Sequence, residues 1–108
     1  MFVELDVFSG RPNPRWELDE SSSQKLRHLQ SRLTKARESP PGVPGLGYRG
    51  FLYADPNGPV RAYRGYVTTA RAVLADPSFS IEQYLLNQMP SDYATLRRKI
   101  ASEITRAK

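Results

Sequence analysis

The sequence predicts an α+β domain in which an antiparallel sheet of about three strands carries helices on one face, in the order β-α-β-β-α-α. Three observations point there. Val3, Leu5 and Val7 alternate with Phe2, Glu4, Asp6 and Phe8, the period-two pattern of a half-buried strand. Leu26, Leu29, Leu33 and Ala36 recur at helical spacing, as do Tyr93, Leu96, Ile100 and Ile104. Between these, two arms rich in aromatic and β-branched residues flank Asp55-Pro56-Asn57-Gly58-Pro59, where Asn-Gly supplies the positive-φ positions of a hairpin turn. Helices laid on one side of a small sheet are the simplest way to bury all of these stripes.

In chain order, the first strand spans Phe2 to Phe8 and is broken by Phe8-Ser9-Gly10-Arg11-Pro12-Asn13-Pro14-Arg15-Trp16. Pro12 and Pro14 lack amide donors and push Arg11 and Asn13 towards extended geometry, so this segment reads as a stiff connector. Asp19 or Ser21 starts the first helix, with Ser21 and Gln24 at capping-box spacing. That helix is expected to reach about Glu38, where the Pro/Gly run from Pro40 to Gly47 stops it and forms a surface loop. The hairpin arms are Tyr48 to Ala54 and Val60 to Thr69. They echo one another in Tyr48-Arg49-Gly50-Phe51 and Tyr63-Arg64-Gly65-Tyr66. Asp76-Pro77 or Ser80 can start a helix carrying Ile81, Tyr84 and Leu85, which Pro90 ends, and Ser91 caps the last one. Residues 1–108 are read as a single domain.

Composition narrows the chemistry. Cysteine is absent and His28 is the only histidine. Disulfides, thiolate metal sites and cysteine nucleophiles are excluded, and no pair of imidazoles can be assembled. His28 lies on the helix side away from the apolar stripe, where a solvated role is expected. No catalytic residue, metal ligand or cofactor is assigned. Glu4 and Asp6 share a strand face, an arrangement more often solvated or paired with arginine than catalytic. The net charge is +5, and the basic residues are mostly arginine. That balance favours acidic partners, although an arginine-rich composition alone would give it. No stretch is long and apolar enough for a membrane span, and acids occupy the start where a signal peptide carries bases, so a cytoplasmic protein is expected.

The hairpin offers the candidate site. With Asp55 opposite Val60, Leu52 lies opposite Tyr63 and Gly50 opposite Gly65. One face then holds Tyr48, Gly50, Leu52, Tyr63, Gly65 and Val67, suited to lie beneath a helix. The other holds Arg49, Phe51, Tyr53, Ala62, Arg64 and Tyr66, an arginine and aromatic surface of the kind that binds peptides or bases. Phe2, Glu4, Asp6 and Phe8 join that face if the first strand pairs with its Val/Leu side inward. Burial under the loop at 39 to 47, neutralisation of Arg49 and Arg64 by Glu4 and Asp6, or a homodimer would each cover it instead.

The stretch VELDVFSGRPNPRW, together with GLGYRGF, resembles a family of small bacterial single-domain proteins of about this length. The resemblance implies one domain and carries no activity or site residue. The function expected is therefore a non-catalytic recognition or accessory module for a protein or peptide partner. Arg11, Asn13, Arg15, Arg49 and Arg64 would supply polar contacts, and Trp16, Phe51, Tyr53 and Tyr66 apolar anchors. A nucleic-acid-binding module using the same surface is the alternative, and an enzyme without Cys or His chemistry the third reading.

Overall fold

A computed structural model describes residues 1–108. Seven strands form one antiparallel sheet: β1 (Phe2–Leu5), β2 (Arg15–Glu17), β3 (Thr34–Lys35), β4 (Phe51–Asp55), β5 (Gly58–Tyr63), β6 (Tyr66–Thr68) and β7 (Val73–Ala75). Their spatial order is β2-β1-β4-β5-β6-β7-β3. The helices are α1 (Glu20–Ser31), α2 (Ser80–Asn87) and α3 (Ala94–Ala107), with a short 3-10 turn over Ser91–Tyr93. None is long and apolar enough to cross a membrane. The α+β class is observed, but a sheet of about three strands is not.

Three local causes account for the additional strands. Arg64 and Gly65 both adopt positive φ, 50° and 80°. They make a tight turn that pairs Tyr63 with Tyr66 and splits the expected Val60 to Thr69 arm into β5 and β6. The proline-rich segment turns back on β1 instead of leading away, so Arg15–Glu17 becomes an edge strand with Val3 opposite Trp16. The first helix ends at Ser31, short of Glu38, and Thr34–Lys35 pairs with β7. β-Branched Thr34 suits that extended pairing better than another helical turn.

The β4–β5 register also differs from expectation. Leu52 faces Arg61, and Asp55 faces Gly58. Because Leu5 pairs with Phe51, Phe51 shares the face of Val3 and Leu5, and Tyr53, Val60, Ala62 and Val67 follow it. This is the core face. Phe51, Tyr53 and Ala62, expected to lie open, are thus buried, whereas Val67 faces the core as expected. Gly50, just before β4, has φ 97°, and a Cβ there would stand 2.4 Å from the Ala62 carbonyl oxygen, so the close approach of the two strands requires glycine.

Leu26 of α1, Ile81 and Leu85 of α2, and Ile100 and Ile104 of α3 complete one hydrophobic cluster with the core face. Asp19 caps α1 by accepting from the Ser22 amide at 2.7 Å. Asp76, 2% exposed, caps α2 by accepting from the Ser80 amide, the Ser80 hydroxyl and the Ile81 amide.

Candidate recognition surface

Helices cover one side of the sheet only. Strand pairing places Phe2, Glu4, Arg15, Glu17, Leu52, Ala54, Pro59, Arg61, Thr68 and Val73 on the other side. At the β2-β1-β4 end this outer face is uncovered. Met1, Phe2, Glu4, Arg15, Leu52 and Ala54 line an open groove there of about 400 Å³. Phe2 is 51% exposed, the largest exposed aromatic of the chain. The Arg15 guanidinium sits 4.6 Å from the centre of its ring and makes no ion pair. Towards β6 the surface changes. Pro40, Pro41 and Val43 of the long loop stand beside Arg61, Tyr63, Tyr66 and Thr68, leaving a smaller cleft of about 270 Å³.

An arginine and carboxylate knot closes the lower end of the outer face. Asp6, just beyond β1, accepts from Arg49 Nε at 3.0 Å and from Arg61 at 2.8 Å. Arg49 also donates to the Phe8 and Gly45 carbonyls, which ties the first loop to the Pro/Gly loop. Burial tends to raise the Asp6 carboxyl, but hydrogen bonds from Arg49 and Arg61, with their charges, hold it below the usual aspartate range. Asn13 knits the first loop from inside. Its side-chain carbonyl accepts from the Val7 and Phe8 amides, and its amide donates to Glu4 and Asp6. Asp6 still exchanges main-chain bonds with Arg49 and Gly50, but the Val7 and Phe8 amides turn to the Asn13 side chain, so the alternating run does not continue as a strand to Phe8.

A second polar centre lies on the helix side. Glu82 is 1% exposed and accepts from the Tyr48 hydroxyl at 2.6 Å and from the Arg64 and Gly65 amides at 2.9 Å. Burial pushes its carboxyl up despite these hydrogen bonds, and burial likewise pushes the Tyr48 hydroxyl up. The arrangement pins the β5–β6 turn to α2.

The residues singled out in the sequence fall into four environments. Trp16, Phe51 and Tyr53 belong to the core, at 7%, 0% and 6% exposure, and face the helices. Phe51 packs edge-on against Trp16 and Tyr48, and the Tyr53 hydroxyl donates to Gln30. Arg49 and Asn13 are occupied by the loop contacts described above. Arg11, Arg15 and Arg64 are exposed, each over an aromatic ring: Phe8, Phe2 and Tyr63 respectively. Tyr66 is half-buried beside Pro40 and Pro41. Of the nine, only Arg15 and Tyr53 border the open groove. Leu52, Ala54 and Arg61 lie on the side of the hairpin that the expected register turns towards the helices, so the sequence does not mark them. Phe2 and Glu4 were visible as the polar side of the first alternating run.

No family model, curated protein or solved structure matches the chain.

Proposed function

We propose that this domain is a recognition module that binds an extended peptide or a loop of a protein partner on the outer face of its sheet. The observation that carries the reading is the uncovered groove at the β2-β1-β4 end, with exposed Phe2 beside Leu52 and Ala54. An apolar side chain of the partner would pack against these residues. Arg15, exposed and without an ion pair, would take a carboxylate. Elsewhere on the face, Arg49 and Arg61 are both hydrogen-bonded to Asp6, which offsets part of their charge and fixes their direction. That pairing favours a peptide over nucleic acid, which would need those guanidinium groups for phosphates.

Selection from a random peptide library tests the reading. Enriched sequences should combine an apolar residue with a nearby acid, and their affinity should fall at least tenfold on Leu52→Glu. No enrichment, or enriched peptides indifferent to Leu52→Glu, contradicts it. Binding of random single-stranded RNA at low salt that collapses at physiological salt would instead support the nucleic-acid reading.

A further inference from the structure

The sheet has two ends, and the one at β2 has a property that the other lacks. The Leu5 amide donates to the Pro14 carbonyl, and the Leu18 amide to the Met1 carbonyl. With Val3 opposite Trp16, these bonds fix the phase of the β1–β2 ladder. Residues 14, 16 and 18 turn their main-chain groups towards β1, so Arg15 and Glu17 turn theirs outward. No strand lies beyond β2. The edge therefore offers two N–H and two C=O groups in register, flanked by one positive and one negative side chain on the same face of the sheet.

An edge of this kind is normally blunted by like charges, which repel a second copy. Here the two charges are opposite and two residues apart. In an antiparallel pairing centred on Trp16, Arg15 faces Glu17 of the partner subunit, and Glu17 faces Arg15 of the partner subunit. Sliding by two residues in either direction would set arginine against arginine or glutamate against glutamate. One register is thus selected. Neither side chain has an ion-pair partner closer than 4.0 Å. Arg15 is stacked on exposed Phe2, and the Glu17 carboxylate, 65% exposed, is 4.0 Å from the terminal amine. The β3 edge, Thr34–Lys35, carries no such complementarity.

We propose that two copies of this chain join β2 to β2 about a two-fold axis through Trp16. Four main-chain hydrogen bonds and two arginine–glutamate pairs hold them. The two sheets become one, with all helices on one side and both grooves on the other. The contact is far smaller than the roughly 800 Å² per partner of a standard interface. The dimer is therefore weak, and its population rises with protein concentration.

Sedimentation velocity over a wide concentration range tests this without any ligand. Wild type should shift from monomer towards dimer as concentration rises. Arg15→Glu, with acid at both edge positions, and Glu17→Arg, with base at both, should each stay monomeric alone and associate when mixed. Glu17→Pro removes an outward-facing amide donor together with the carboxylate and breaks no bond to β1, so it should keep wild-type Trp16 fluorescence and lose the dimer. Wild type that stays monomeric throughout, charge variants that fail to associate on mixing, or a dimer that survives Glu17→Pro would each overturn the proposal.

Discussion

Asp6 concentrates several consequences in one carboxylate. It receives Arg49 and Arg61 in a site where its side chain is 13% exposed and that of Arg49 is 14% exposed. Asp6→Asn would leave two partly buried guanidinium groups without a counter-charge, at a cost of about 2–4 kcal/mol. The folded-state carboxyl is held below its ordinary value of 3.8. Its contribution is therefore complete above that value and is lost as pH falls through the lower folded one. Denaturant unfolding followed by Trp16 emission should show the full difference between wild type and Asp6→Asn at pH 7, narrowing below pH ~4. This pairing is partly legible in the sequence, where neutralisation of Arg49 and Arg64 by Glu4 and Asp6 is one alternative; only Asp6 with Arg49 occurs, while Glu4 meets Asn13 and Arg64 lies over Tyr63. Arg61 was not foreseen, because its position depends on register. Asn13 was singled out for its place in a proline-rich loop. Its actual work, closing that loop on the Val7 and Phe8 amides, was hidden because an asparagine side chain can meet many backbone groups.

Among the elements, the β4–β5 hairpin shows what a sequence pattern does and does not determine. Alternation correctly separated Phe51, Tyr53 and Ala62 from Leu52, but not which set faces the helices. Both sets contain apolar residues, and the choice is made by long-range pairing of Leu5 with Phe51. Adjacent substitutions test that sidedness. Phe51→Ala should cost about 3–5 kcal/mol, since the ring is fully buried between Trp16 and Tyr48. Leu52→Ser should cost less than about 1 kcal/mol, because it faces the open groove. Equal costs would contradict the observed face. The additional strands were illegible for a different reason. β2, β3, β6 and β7 have two or three residues each, too few for periodicity to register. The helices were read better. Asp19, Asp76 and the Ile100–Ile104 stripe all act as their chemistry suggests, though α1 stops at Ser31 because β7 offers Thr34 and Lys35 a strand partner.

For the whole molecule, the decisive feature is asymmetry. One sheet face is filled by three helices, and the other is left to solvent except where the Pro40–Val43 segment approaches it. Net positive charge alone does not identify a basic binding site, because Arg49 and Arg61 are consumed internally. What remains is a mixed apolar and cationic groove at one end of the sheet, beside an edge strand with unpaired main-chain groups. We propose this groove as the place where the domain meets its partner. Amide chemical-shift mapping with a library-selected peptide tests it most directly. The largest shifts should fall on Phe2, Glu4, Arg15, Leu52 and Ala54, while the α3 amides of Arg97, Arg98 and Lys99 stay unmoved. Shifts concentrated on α3, with the groove unaffected, would contradict it.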